Sequence, residues 1–323
     1  MTDKATIRTY ATTANFGGPL FDRGGAKVNG LYLETTAELT SGCKITIQSE
    51  GDYKVPIDKR NLAHKIAPTM FRDKGIKDGL TLKITSNIKP GGLGTSAASA
   101  VAFVELVNCL YELNLSTEEK IRYASLGEPN QHLDNVVPCT VGGIVLATKI
   151  EGENLPRFSR YEPPSNLVPA LVIPLDIYKE GGTAKARKVI KPLRFRNLEL
   201  VYASGLAELM IAGIIQNDFE KIRESIAAYS RWEKSVTSVR NKAGVYGVNL
   251  DDLNRSLEKA VGKEAISSPS GAGTAVLILA KDSDVAERAA QDMVKMYERM
   301  GHNAKSIITS FNGDHSSLDF VLE

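Results

Sequence analysis

Alternation of apolar and polar side chains dominates the first fifty residues. Ala5-Thr-Ile-Arg-Thr-Tyr-Ala-Thr-Thr, Leu31-Tyr-Leu-Glu-Thr-Thr-Ala-Glu-Leu and Lys44-Ile-Thr-Ile-Gln each place every second residue on one face. That is the period of a half-buried strand. Between the first two lies a glycine-rich loop, Asn15-Phe-Gly-Gly-Pro-Leu-Phe-Asp-Arg-Gly-Gly. From Asn61 to Lys74 the period changes to helical, with Leu62, Ile66, Met70 and Phe71 on one side. Leu80-Thr-Leu-Lys-Ile-Thr-Ser returns to alternation, and Ser116-Thr-Glu-Glu has the form of a capping box opening a helix over 120–126. Gly142-Gly-Ile-Val-Leu-Ala reads as a buried strand.

Four prolines, Pro156, Pro163, Pro164 and Pro169, interrupt residues 151–170, which therefore read as a link between lobes at about 153/154. Beyond it the pattern predicts a strand over 170–175 and helices near 204–216, over 218–240 and over 251–261. A strand over 275–279, a helix over 284–300 and strands near 306 and 319–322 follow. Clustered strands at irregular spacing predict an α+β fold with antiparallel sheets.

The residues most suggestive of chemistry follow the strand at 80–86: Asn87-Ile-Lys-Pro-Gly-Gly-Leu-Gly-Thr-Ser-Ala-Ala-Ser-Ala, running directly into an apolar helix. Glycines let main-chain N–H groups approach a ligand closely, and the start of a helix presents unpaired N–H groups to a phosphate. Thr95 and Ser96 add hydroxyls at that point, which suit a hard cation such as Mg²⁺. The loop is neither a Walker A motif nor a GxGxxG turn. The lesser alternative, on the loop alone, is a plain strand-to-helix turn with an N-cap.

Charge narrows the partners. Forty Lys and Arg face thirty-eight Asp and Glu, a formal charge of +2, so no general nucleic-acid footprint is expected. The densest positive stretch, Lys185 to Arg196, reads as a solvated face or an anion site. The three cysteines, Cys43, Cys109 and Cys139, form no CxxC pair, the N-terminus lacks a signal-peptide pattern, and no run near 20 apolar residues suggests a membrane span. A cytoplasmic enzyme is the expectation.

Three segments carry a family resemblance. Pro90-Gly-Gly-Leu-Gly-Thr-Ser-Ala-Ala-Ser resembles the central motif of the GHMP small-molecule kinases. Ala11-Thr-Thr-Ala-Asn-Phe-Gly-Gly-Pro-Leu-Phe-Asp and Ser270-Gly-Ala-Gly-Thr-Ala-Val-Leu resemble the early and late motifs, in the right order. Thr95 stands where many members have Ser, and Thr274 where Pro is common. Within the family, His132-Leu-Asp-Asn-Val-Val-Pro and Thr183-Ala-Lys-Ala-Arg are similar to segments of the branch that phosphorylates homoserine.

The resemblance implies a two-lobed fold, with a ribosomal-protein-S5-like ATP-binding lobe over 1–153 and a ferredoxin-like lobe over 154–323. It implies ATP and Mg²⁺ as cofactors, L-homoserine as the small-molecule acceptor and a homodimer. Lys89, Pro90, Gly91, Gly92, Leu93, Gly94, Thr95, Ser96, Ala97, Ala98 and Ser99 then hold the nucleotide, with Asn61 at the adenine. Ser96 and Glu128 hold the metal. Asn15, Asp22, His132, Asp134, Asn135, Thr183, Arg187 and Arg231 line the acceptor site. Asp134 has two readings there, general base or partner of an ammonium. Shikimate, pantoate and mevalonate are rival acceptors, and a non-catalytic sensor on the same fold is a rival of another class. His64, His302 and His315 read as structural.

Overall fold

The computed structural model describes residues 3–16, 23–42, 44–128, 131–177, 197–236, 257–271, 273–311 and 319–322. Two sheets organise it. The first holds seven strands: β1 (Lys4–Ala14), β2 (Gly24–Thr40), β3 (Ile45–Gly51), β4 (Gly79–Ser86), β5 (Ile144–Thr148), β6 (Arg157–Tyr161) and, at the chain's end, β11 (Asp319–Leu322). The second runs in the order β10 (Ala304–Ile308), β7 (Val168–Pro174), β9 (Val276–Ala280), β8 (Ala265–Pro269).

Helices pack against both sheets. Beside the first lie α1 (Leu62–Lys74), α2 (Thr95–Leu110), α3 (Thr117–Ser125) and α4 (Val136–Val141). The alternation read from β1 is real: Ala5, Ile7 and Ala11 are buried in one core with Ile66 and Met70 of α1. Helix α2 is buried almost all round, as its run of alanines and valines requires. The Thr9 hydroxyl of β1 donates to the carbonyl of Ala98 and pins that helix to the sheet. A second core lies between the second sheet and α7 (Ser283–Arg299), where Val285, Ala286, Ala289, Met293 and Tyr297 meet Val172 and Ile278.

Several expectations need correction. The pairing is not wholly antiparallel, because β3 and β4 run parallel from Ile45↔Leu80 to Gly51↔Ser86. The α1 crossover between them makes that direction available. The proline-bearing stretch holds a strand, since β6 pairs with β5 from Thr148↔Arg157 to Ile144↔Tyr161. Sheet membership changes after Tyr161, and β11 returns to the first sheet beside β1. Strand β8 carried no signal that was read in the sequence. The helices expected over 218–240 and 251–261 are described over Phe219–Val236, here α6, and over 257–261; the remainder lies outside the described residues.

Helix α5 (Asn197–Gln216) begins earlier than its apolar run suggested and is, by length and composition, long and apolar enough to cross a membrane. That departs from the expectation of no such run. Leu206, Met210, Gly213 and Ile214 on it are buried. Its partner is α6, where the Ser225 hydroxyl donates to the carbonyl of Leu206 and Ile222 closes on Gly213.

Candidate active site

The glycine loop sits where three chain segments meet. Ala275 N–H donates to the Gly91 carbonyl and Gly271 N–H to the Ala14 carbonyl, while Thr12 N–H reaches the carbonyl of Leu93. The Ser270 hydroxyl donates to the Gly92 carbonyl at 2.6 Å and lies 3.0 Å from the Thr13 hydroxyl. The early, central and late motifs are thus stitched into one unit. Gly92 has φ 93°, and a Cβ on it would collide with the Ser270 carbonyl. Gly94 has φ 64°, and a Cβ there would strike the Thr12 hydroxyl. Glycine is required at both by conformation and by space.

Gly94 caps α2 without any side-chain bond, so the first N–H groups of this long helix are not satisfied by a capping side chain. They suit an anion. Ser96 is exposed on that first turn, and Thr95 Oγ1 is buried with no hydrogen-bond partner among the described residues.

His132 lies between two acids. Its Nδ1 is 2.6 Å from Asp134 Oδ1, and its Nε2 is 3.3 Å from Glu128 Oε2, in ion-pair range but not aligned as a hydrogen bond. All three side chains are buried, at 7% exposure or less. Burial alone would push the imidazole pKa down. The hydrogen bond to Asp134 and the close Glu128 carboxylate, with their charges, outweigh it and raise the value to about 10. His132 is therefore an imidazolium at neutral pH, shared by two carboxylates. Glu128 Oε1 is buried without a partner among the described residues.

Asn135, at the start of α4, accepts through Oδ1 from the Thr12 hydroxyl at 2.7 Å, and the same Oδ1 lies close to where a side chain on Gly94 would begin. This bond places the Asn135 amide at the phosphate loop, with no partner for its N–H groups among the described residues. Asn15, in a left-handed conformation (φ 65°), is buried at the end of β1.

Not every expected residue joins this group. The Asn61 side chain accepts from Ala63 N–H at 3.0 Å and donates to the Pro56 carbonyl at 2.7 Å, so it caps α1. Lys89 turns away from the loop it precedes and donates to the carbonyl of Ile177. Arg231 is exposed on α6, and no hydrogen bond or ion pair joins it to the site among the described residues. Asp22, Thr183 and Arg187 lie outside the described residues. Thr12, Thr13 and Ser270 join the site, although their motifs alone assign them no role. Their signal was present, since hydroxyls flank the glycines in both early and late motifs.

The donor set fits a nucleotide with a divalent cation. A bare helix start suits phosphate, and the orphaned oxygens of Thr95 and Glu128 are hard ligands of the kind Mg²⁺ takes.

Residues 61–143 match the model of the GHMP kinases N terminal domain. A homoserine kinase of Listeria welshimeri is 34% identical over 282 residues, covering 85% of this chain and 87% of that protein. Among solved structures, homoserine kinase from Cytophaga hutchinsonii superposes with a TM-score of 0.80 at 24% identity, covering 99% of this chain and 98% of its own. A putative homoserine kinase from Listeria monocytogenes gives 0.68 at 27% identity, covering 99% of this chain and all of the other. The loop at the bare end of α2 and the motifs stitched around it are those of a phosphotransferase, and the chain belongs to the homoserine kinase family of the GHMP kinases.

Proposed function

We propose that this protein transfers the γ-phosphoryl group of ATP to the side-chain hydroxyl of L-homoserine, with Mg²⁺. The observation that carries the reading is the Asn135–Thr12 bond, which sets a hydroxyl-orienting amide against the phosphate loop. The relatives named for this activity support it.

In this reading the loop amides and the N-terminus of α2 hold the phosphates, and Ser96 and Glu128 hold the metal. Bound there, the cation would offset charge on the transferring phosphoryl oxygens. Asn135 donates to the acceptor oxygen and orients its lone pair toward the γ-phosphorus. A new P–O bond forms as the bond to the ADP oxygen breaks, and the hydroxyl proton passes to the phosphoryl oxygens. Because the transition state is loose, positioning contributes more than proton abstraction. Asp134 Oδ1 is already engaged by His132, which favours substrate binding over base catalysis for that carboxylate.

In this reading Asp134 and Asp22 are the two acids that meet the ammonium of the amino acid. Arg187, with Arg231 second to it, takes the acceptor's carboxylate, and Thr183 lines the same site. A homodimer belongs to the same proposal and is read by sedimentation.

The test compares homoserine, serine, shikimate, pantoate and mevalonate in one ADP-release assay with Mg-ATP. Homoserine should lead the acceptors without an ammonium by about a hundredfold in kcat/KM, because they leave an acid unpaired. Serine, one methylene short, should react poorly. A higher kcat/KM for shikimate, pantoate or mevalonate would refute homoserine as acceptor.

A further inference from the structure

The peptide planes of the phosphate loop are turned one by one by groups from distant parts of the chain. The Gly91 carbonyl accepts from Ala275 N–H at 3.0 Å, the Gly92 carbonyl from the Ser270 hydroxyl at 2.6 Å, and the Leu93 carbonyl from Thr12 N–H at 3.2 Å. In a trans peptide the carbonyl and the next N–H point in opposite directions. Each bond therefore aims the following N–H, of Gly92, Leu93 or Gly94, away from the donor that holds its carbonyl. No backbone carbonyl among the described residues accepts from these three N–H groups. They lead into the uncapped N-terminus of α2, so a run of amides is left for an anion.

Of these three donors only Ser270 uses a side chain. Ala275 and Thr12 act through main-chain N–H groups, which almost any residue supplies. Ser270 follows β8 in the second sheet and is fully buried. Its backbone is held independently of its hydroxyl: its N–H donates to the Ala275 carbonyl and its carbonyl accepts from Gly273 N–H, each at 2.9 Å. The Thr13 hydroxyl, also fully buried on β1, lies 3.0 Å from Ser270 Oγ and limits its rotation. Without the serine hydroxyl, nothing in this arrangement keeps the Gly92 carbonyl from turning toward the ligand side. There its oxygen would repel a phosphate and withdraw the Leu93 N–H.

We propose that Ser270 is a positioning residue for the nucleotide, whose hydroxyl holds back the Gly92 carbonyl so that the Leu93 N–H stays turned to the phosphates of ATP. The inference rests on the reading of this loop as the phosphate site and is independent of the acceptor.

The experiment uses the full chain, unchanged or carrying Ser270→Ala, Ser270→Cys or Thr13→Val. ATP and adenosine are each titrated against a bound fluorescent ATP analogue in Mg²⁺ buffer without acceptor, which gives two inhibition constants per protein. Ser270→Ala should weaken ATP by about tenfold and leave adenosine, which has no phosphate, within about threefold. Ser270→Cys restores the volume with only a weak donor and should stay nearer to Ser270→Ala than to the unchanged chain. Thr13→Val, which frees the serine rotamer, should lower the preference for ATP over adenosine by about threefold. It serves alone if Ser270→Ala fails to fold, and an unchanged preference there overturns the proposal. Equal losses for ATP and adenosine in Ser270→Ala, the mark of a loosened fold, also overturn it, as does no loss for ATP. Full recovery by Ser270→Cys would assign the effect to packing and overturn the hydrogen bond as its cause. If the unchanged chain binds ATP no better than adenosine, the phosphate-site reading falls and the proposal falls with it. No acceptor enters this measurement, so its result and that of the acceptor comparison are read separately.

Discussion

His132 holds two buried carboxylates, and its own charge depends on them. The imidazole is buried deeply enough that solvation would favour its neutral form, yet Asp134 at 2.6 Å and Glu128 at 3.3 Å keep it protonated, with a pKa of about 10. Removing the cation leaves both acids without it. His132→Gln in Mg²⁺-free buffer should lower the unfolding free energy by roughly 3–5 kcal/mol, the cost of breaking a buried pair from one side. Urea unfolding followed by circular dichroism measures it, and a loss below about 1 kcal/mol would mean the acids do not depend on this histidine. His132 and Asp134 were legible because they share one motif, but their connection to Glu128 was not. Spacing along the chain put His132 beside Asp134; only the fold brought Glu128's carboxylate to the other ring nitrogen.

Among the elements, capping chemistry was the most readable feature. Ser116 and Glu119 form the reciprocal box expected of them, with Ser116 N–H donating to Glu119 Oε2 at 2.9 Å and Glu119 N–H to Ser116 Oγ at 3.2 Å. Asn61 shows the same physics in a place where the resemblance implied adenine binding. Its oxygen satisfies one of the unpaired N–H groups of α1, and its amide nitrogen holds the Pro56 carbonyl. Asn61→Ala should therefore cost about 1–2 kcal/mol of stability, read as a lower urea midpoint. An unchanged midpoint would show that the cap contributes little to stability. The parallel pairing of β3 with β4 was not readable in this way, because alternation reveals a strand's buried face and not the direction of its neighbour.

For the whole molecule, the turn between β5 and β6 is the part whose meaning changes most. Residues 148–155 are exposed, as a linker would be, but the strands on either side of them pair residue by residue in the first sheet. A glutamate-specific protease should cut at Glu151 or Glu153, and the two fragments should still elute together at the size of the intact chain. Separation of the fragments without denaturant would show that the β5–β6 pairing does not hold the halves together.

The sequence by itself determined the strands that alternate, the helices with clear caps, the phosphate loop and the family, because each depends on residues close together in the chain. Gly92 and Gly94 show the limit of that information. Their identity announces a tight loop, but the carbonyl of Ser270 and the hydroxyl of Thr12 that make glycine necessary come from opposite ends of the chain. Only the tertiary structure decided those contacts, the return of β11 to β1, and the reach of Lys89 to Ile177. In each case the partner is chosen by which buried polar groups and sheet edges must be satisfied together, and that choice is made between segments distant in sequence.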